Sequence, residues 1–496
     1  MQKINKLLIA NRGEIALRIM RSAKEMNIKT VAVFSEADRT SLHVKYADEA
    51  ICVGPAPSNQ SYLVIDNIIN AAKTTGADAI HPGYGFLSEN PEFATAVENT
   101  GLILVGPSAE AMRIMGNKLS AKAAALAYNI PMVPGTDTAI SDISEAKKTA
   151  INVGFPILIK AAAGGGGKGM RIVNQPEDFE EQMHLAVNEA TSAFGDGSVF
   201  IERYVTSPRH IEIQILGDKK GNIIHLFERE CSIQRRHQKV VEEAPSAVLT
   251  PEIREKMGKA AIDVARSVNY TGAGTVEFIL DENLNFFFLE MNTRLQVEHP
   301  VTEYITGLDL VKEQIRIAEG HEISVKQEDL KILGHSIELR VYAEDPSNNF
   351  LPDIGTLQTY KLPSGNGVRV DDGFEEGMDI PIYYDPMIAK LITHGANRAD
   401  AIAKMKRAIE DYNITGIQTT LAFGKFVMNH EAFVSGKFDT HFVGKYFSPE
   451  VLVEKSDEEA LIAAIAASLF KNTQKKTTLQ TETSTTNNWK KNRTQF

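Results

Sequence analysis

Glu277 and Glu290 are the residues whose type and spacing ask most directly for a ligand. They lie in TVEFILDENLNFFFLEMNTRLQVEH, residues 275–299. Two apolar runs, Thr275–Leu280 and Phe286–Met291, flank the polar turn Asp281–Asn285, which is a hairpin signal. A turn centred near Asn283 puts the two glutamates opposite each other on neighbouring strands. Cross-strand side chains stand roughly 5 Å apart, and like charges so placed repel. A cation between them removes the conflict. Oxygen-only ligands suit Mg2+ or Mn2+, with phosphate oxygens completing the shell. Asn292 and Arg294 continue on the same face, because strand side chains alternate. A solvated hairpin face with scattered charges is the competing reading, and this segment alone does not separate the two.

Arg294 and Glu298 are four residues apart, which puts them on one side of either an extended or a helical path. A guanidinium fork matches a planar oxyanion such as a carboxylate or bicarbonate. A carboxylate beside it can take a proton from that anion. A plain Arg294–Glu298 ion pair is the alternative. Arg340, in IELRVYAEDP, is a further cation on a predicted strand and is uninformative alone.

The run AAAGGGGKGM, Ala161–Met170, follows a strand ending in Lys160. Glycine lets backbone N–H groups approach phosphates closely. Gly164–Gly169 formally fits G-x-G-x-x-G, but Met170–Val173 reads as a strand where a dinucleotide fold needs a helix. The P-loop pattern fails as well, since Met170 follows the last glycine instead of Lys. What remains is a glycine hairpin that can lie over phosphates as a lid, with Gly165, Gly166 and Gly167 offering backbone contacts. Lys160 and Lys118 are candidate point charges for a polyphosphate. In Glu228–Glu243, ERECSIQRRHQKVVEE, Arg235, Arg236, His237 and Lys239 could gather around an anion. A solvated run, partly neutralised by Glu242 and Glu243, is the commoner case.

The elements that must position these groups fall into three regions. Strands alternate with helices over roughly the first 115 residues, which implies a parallel α/β sheet. The middle region mixes helices with antiparallel hairpins and reads as α+β. From about Gly334, strands at Ser336–Tyr342, Thr356–Tyr360, Gly367–Val370 and Met387–His394 precede helices at Arg398–Tyr412 and Thr419–Val427, a third domain. Glu458–Phe470 reads as an amphipathic helix. Thr473–Phe496 is too polar to bury enough surface to order itself.

Composition bounds the rest. The chain has 496 residues, 43% hydrophobic and 24% charged, ordinary values for a soluble globular protein. A net charge of −11 argues against general affinity for nucleic acid. Two cysteines, Cys52 and Cys231, are expected to be small buried residues in a reducing compartment. No apolar run approaches membrane-spanning length. The expected location is the cytoplasm.

Together the blocks IANRGEIA (Ile9–Ala16), HPGYGFLSE (His81–Glu89), Lys160–Met170, RRHQKVVEE (Arg235–Glu243) and EMNTRLQVEHP (Glu290–Pro300) resemble biotin carboxylase, the ATP-grasp subunit or domain of biotin-dependent carboxylases. The resemblance implies a parallel α/β domain over residues 1–115, an ATP-grasp domain over 116–330 with a glycine-rich lid at about 133–204, and an α+β domain over 331–447. A helix and polar tail occupy 448–496. It implies a ligase that carboxylates biotin from ATP and bicarbonate through carboxyphosphate. Lys118, Lys160, His210 and His237 resemble the contacts to nucleotide phosphates and ribose, and Glu202 the adenine-side contact. Glu277 and Glu290 resemble the metal ligands, with Asn292 beside them. Arg294, Gln296 and Val297 resemble the bicarbonate site, and Glu298 the base. Lys239 resembles the residue that holds carboxyphosphate, and Arg340 the one that stabilises the biotin enolate.

Lys168 stands where many relatives carry Arg, and Arg203 where many carry Lys. No biotin attachment motif is present, because Lys404-Met405-Lys406 falls in a helical pattern. The resemblance therefore implies biotin supplied on a separate carrier protein, a carboxyltransferase subunit as partner, and a homodimer. It does not name the final acyl acceptor.

Overall fold

A computed structural model describes residues 2–136, 140, 142–161, 170–195, 197–236, 238–452, 461–462 and 465–469. The chain divides into two compact units, Met1–Phe447 and Ser448–Phe496.

The larger unit begins with five strands: β1 (Lys6–Ile9), β2 (Lys29–Ser35), β3 (Glu49–Gly54), β4 (Ala79–His81) and β5 (Ile103–Leu104). They form a parallel sheet in the order β3-β2-β1-β4-β5. The connections between parallel strands are long and mostly helical, as such crossovers require. The order reverses between β1 and β4, where an open α/β sheet leaves a crevice beyond the strand ends. The segments leaving those ends carry Glu14, Tyr84 and Glu89. Cys52 is exposed and Cys231 is buried. The expectation of two buried cysteines thus fails at Cys52. It lies on the edge strand β3, whose side chains alternate toward solvent.

Three strands follow, β6 (Ile157–Ala161), β7 (Met170–Val173) and β8 (Val199–Arg203), in an antiparallel sheet ordered β7-β6-β8. Met170–Val173 is therefore a strand and not a helix, which removes the dinucleotide reading. Its pairing with β6 brackets the glycine run, while Gly165, Gly166, Gly167 and Lys168 lie outside the described residues.

The largest sheet contains β9 (Arg209–Gly217), β10 (Ile223–Arg235), β11 (Gln238–Ala244), β12 (Gly272–Leu280), β13 (Phe286–Asn292) and β14 (His335–Tyr342). Strands Met387–Gly395 and Val368–Asp372 complete it. Its order is β13-β12-β9-β10-β11-β14, then Met387–Gly395, then Val368–Asp372, antiparallel throughout. The β11–β14 pairing carries this sheet without a break past residue 330. One face of its C-terminal half is apolar, with Ile337, Leu339, Val341 and Leu391 packed in a core against Ala401, Met405 and Phe423. The opposite face carries Glu338, Arg340 and Lys390 at alternate positions. It packs against the helix His299–Thr306.

Lys404-Met405-Lys406 sits inside the helix Arg398–Asp411, and Met405 is fully buried. The strand expected at Thr356–Tyr360 forms at Thr359–Lys361 instead. In the smaller unit, 461–462 and 465–469 are helical. The remainder of the expected Glu458–Phe470 helix and the tail Thr473–Phe496 lie outside the described residues.

Candidate active site

The turn pairs Leu280, Ile279 and Phe278 with Phe286, Phe287 and Phe288, a register that would set Glu277 against Leu289; a β-bulge at Leu289 brings Glu290 opposite instead. Glu277 pairs with Glu290, and the next pairings continue the line through Glu212 on β9 to Arg229 on β10. Four adjacent strands thus carry Glu290, Glu277, Glu212 and Arg229 in one row. Arg229 is fully buried. It contacts Glu212 and donates to Gln214 at 2.7 Å, Thr302 at 2.9 Å and Thr275 at 3.1 Å.

Glu277, like Arg229, is held by four side chains. Its Oε1 accepts from Asn292 Nδ2 at 2.9 Å, Lys239 Nζ at 3.0 Å and Gln296 Nε2 at 3.1 Å, while His210 Nε2 lies 2.9 Å from Oε2. Burial pushes this carboxyl up, but Lys239 and then His210 outweigh it and hold the group well below the usual range. Glu290 is exposed. Desolvation, followed by the charge of Glu277, raises its carboxyl. Ligand atoms of His210, Glu212 and Glu277 lie within 4.8 Å of one another.

Lys239 stands at the centre. Its ammonium contacts Glu212 and donates to Glu277, to Gln296 at 3.1 Å and to Glu298 at 2.8 Å. Burial opposes the charge, but Glu212, Glu277 and Glu298 together raise this lysine well above its ordinary value. Glu298 Oε1 takes Lys239, and its Oε2 takes Arg340 Nη2 at 2.9 Å. Burial again pushes the carboxyl up, and Lys239, Arg340 and Arg229 hold it far below the usual range. Arg340 completes the chain by donating from Nε to Glu242 at 2.6 Å.

The segment Arg294–Glu298 is fixed from two sides. Glu89 accepts from the Thr293 backbone N–H at 2.9 Å and from Arg294 Nε at 2.8 Å. Lys390, fully buried, donates to the Val297 carbonyl at 3.0 Å and lies 3.2 Å from Glu14 Oε2. Glu14 in turn accepts from the Tyr84 hydroxyl. Glu298 occupies the N-cap of the helix His299–Thr306 but makes no side-chain cap bond, so its carboxylate stays with the cations. Arg294 and Glu298 do not pair with each other: Arg294 turns to Glu89 and to Asn292 Oδ1 at 3.2 Å. The ion-pair alternative is thereby excluded.

A second group lies at the three-stranded sheet. Lys160 on β6 contacts Glu202 on β8, and Lys122, from the helix Lys118–Leu126, reaches the same carboxylate at 2.6 Å. Burial raises Glu202, but Lys160 and Lys122 lower it further. Lys118 opens that helix and is exposed. His237 lies outside the described residues.

Arg235 and Lys239 of the run RRHQK do not gather as one patch. Strand alternation sends Arg235 to both oxygens of Glu344 at 2.7 Å and over the Phe350 ring, away from Lys239. Glu242 and Glu243 do not neutralise the run either. Glu242 serves Arg340, and Glu243 serves His335 at 2.8 Å and Arg398 at 2.7 Å.

Several residues of the site escaped the sequence reading: Glu212, Arg229, Lys122, Glu89 and Lys390. For Glu212 a signal existed. In HIEIQIL, Glu and Gln alternate with Ile, which marks a strand with one polar face. Lys390 in MIAKLITHG is a lone cation in an apolar strand, and buried charges of this kind are paired.

An antiparallel sheet whose β6 and β7 bracket a glycine run, with lysines on its Glu202, beside a second antiparallel sheet that carries a row of carboxylates, is the combination of an ATP-grasp ligase. The family models agree. Residues 3–112 match the N-terminal domain of biotin carboxylase, 117–326 the ATP-binding domain of the carbamoyl-phosphate synthase L chain, and 338–445 the C-terminal domain of biotin carboxylase. The chain is 53% identical to biotin carboxylase 1 of Bacillus subtilis, over 89% of this chain and 99% of that protein. It is 51% identical to the human mitochondrial propionyl-CoA carboxylase alpha chain, over 94% of this chain and 65% of the other. The biotin carboxylase of Campylobacter jejuni superposes with a TM-score of 0.84 at 47% identity, covering 90% of this chain and 99% of that one. This chain belongs to the biotin carboxylase family.

Proposed function

We propose that this chain uses ATP to carboxylate biotin with bicarbonate, through carboxyphosphate. The observation that carries the reading is the short segment Arg294–Glu298. It runs from the carboxylate row at Glu277 to the guanidinium of Arg340, so a phosphoryl site and a biotin site share one stretch of backbone.

Arg294, Gln296 and the Val297 backbone hold bicarbonate, and Glu298 takes its proton. A carbonate oxygen then attacks the γ-phosphorus, and the bond to the ADP oxygen breaks. Glu298 is fully ionised at neutral pH but is a weak base while Lys239 and Arg340 both hold it. An anion entering beside Lys239 draws on that ammonium and returns proton affinity to Glu298. Lys239 then steadies the carboxyphosphate. The phosphate oxygens take the biotin ureido N–H proton, the nitrogen attacks the carboxyl carbon, and the carbon–oxygen bond to phosphate breaks, releasing phosphate. Arg340 faces the negative charge that develops on the ureido oxygen. Lys118, Lys160, His210 and His237 bind the nucleotide, Glu202 lies on its adenine side, and Gly165, Gly166 and Gly167 cover the phosphates and exclude water.

The residues present fit a divalent metal. Glu277, Glu290 and Asn292 offer oxygen donors, and Glu290 carries a repulsion that a cation relieves. They would hold Mg2+ or Mn2+, which neutralises charge on the transferring phosphoryl group.

The domain limits we propose are 1–115, 116–330 and 331–447, with the family-model spans as support. Biotin arrives on a separate carrier protein, a carboxyltransferase subunit receives the product, and the working form is a homodimer. No helix among the described residues is long and apolar enough to cross a membrane. Relatives of similar identity carry pyruvate, propionyl-CoA and methylcrotonoyl-CoA carboxylase names, so identity tracks the shared half-reaction and not the acceptor.

The test is labelled-bicarbonate transfer to free biotin with ATP present. Acid-labile label on biotin that requires ATP supports the reading. ATP consumption with no label on biotin overturns it.

A further inference from the structure

Glu338 lies on β14 directly opposite Glu242 on β11. Both side chains are buried, and register partners of this kind hold their side chains on one face, within reach of each other. Glu242 Oε1 is taken by Arg340 Nε. Its Oε2 and both oxygens of Glu338 accept no hydrogen bond from any described residue. Three buried acceptors without a donor are rare in native structures and ask for an explanation.

The cations nearby are already committed. Arg340 is shared among Glu242, Glu298 and the Tyr342 hydroxyl, and Lys390 among Val297, Glu14 and Asp371. The charged groups that face Glu338 are Lys390 on the next strand, Glu242 on β11, Arg340 on its own strand and Glu298 at the helix above. Tyr84 lies near it from the N-terminal sheet. On that same helix, Glu303 is occupied by Arg18 and Arg369. His299 is held neutral by burial and then by the neighbouring cations, Lys390 foremost. Among the described residues, no donor reaches either oxygen of Glu338.

Two carboxyls so placed cannot both ionise, and one proton between them satisfies the pair. We propose that Glu338 is a positioning residue for Arg340: its protonated carboxyl donates to Glu242 Oε2, leaving one negative charge on the pair, aimed at the guanidinium. The functional part of this rests on the reading that Arg340 faces biotin. Burial, the opposing influence of Lys390 and then the charge of Glu242 leave Glu338 with its carboxyl well above the usual range. Glu242 is pushed up to about 7 by burial, against Arg340. Ionising Glu338 would set a second anion against Glu242 and pull Arg340 away from Glu298.

The experiment compares Glu338→Gln and Glu338→Leu in the full chain by biotin-dependent turnover, with infrared spectra of wild type and Glu338→Gln at neutral pH. Gln keeps a neutral donor, so its kcat stays within about threefold of wild type, while Leu loses about five- to a hundredfold with KM for ATP unchanged. The wild-type spectrum contains a protonated-carboxyl band that Glu338→Gln lacks. Raising the pH removes the band in step with wild-type activity, and the Gln variant keeps its activity further into the alkaline range. Identical carboxyl bands in the two proteins overturn the proposal, as does a Gln variant as impaired as Leu. If wild type shows no biotin-dependent turnover, the functional reading fails, whereas the infrared difference still decides where the proton lies.

Discussion

Glu277 and Glu290 are register partners on adjacent strands, yet their carboxyls are held in opposite electrostatic states. Glu277 is buried among Lys239, His210, Asn292 and Gln296 and is anionic without a metal. Glu290 is exposed and feels chiefly partial desolvation and the charge of its partner. The two therefore respond differently to removal.

Glu290→Gln should raise the Mg2+ concentration needed for half-maximal activity by at least about tenfold. Its effect on stability should stay within about 0.5 kcal/mol, as for other exposed positions. Glu277→Gln should instead lower Tm as well, because it leaves Lys239 and His210 short of a counter-charge. Metal titrations and thermal unfolding of both variants check this.

Arg294→Lys replaces a fork with a point charge and loses the bond from Nε to Glu89. Bonds to charged groups contribute about 1.5–3 kcal/mol, so KM for bicarbonate should rise about ten- to a hundredfold. KM for ATP should change little, since Lys118 and Lys160 stand on other elements. Steady-state kinetics with each substrate varied in turn separates the two effects.

How much of this was legible depends on where each residue's partners lie in sequence. The Glu277–Glu290 hairpin is local and could be read from a single turn, but the turn alone sets Glu277 against Leu289, and the bulge that brings Glu290 opposite was not legible. The strand after the glycine run was local too, and four residues of β-branched and long side chains were enough to dismiss the dinucleotide fold. Glu89, the partner of Arg294, was missed because it lies more than two hundred positions away. RRHQK looked like one basic patch because linear proximity hides strand alternation. The continuous eight-stranded sheet was out of reach for the same reason, since β11 and β14 are joined only by tertiary pairing.

Lys390 links three regions, and its removal is the sharpest stability test. Lys390→Met should cost about 3–5 kcal/mol, as for breaking a buried ion pair. Adding Glu14→Gln should recover part of that loss, because it removes one carboxylate left without its cation. Urea unfolding of the two single variants and the double variant measures the coupling. Additive losses would mean the contact is not felt.

Asp371 gives a pH dependence with a defined sign. Burial pushes its carboxyl up, but Arg369, which holds both oxygens, and then Lys390 outweigh this and place it well below the usual range. A folded pKa below the unfolded value near 3.9 contributes stability that is present above about pH 4 and is lost as pH falls toward the folded value. Asp371→Asn should therefore destabilise the protein fully at pH 7, and the gap from wild type should shrink only below about pH 4. Denaturant midpoints at several pH values test this.

The account stands most directly on Glu298, whose two oxygens are held by Lys239 and Arg340. The decisive measurement is bicarbonate-dependent ATP turnover by Glu298→Gln, with nucleotide binding followed on the same preparation. If Glu298 takes the proton from bicarbonate, kcat falls by about 10²–10⁴ while ATP affinity stays near wild type. Turnover close to wild type in a variant that binds ATP normally would contradict the assignment.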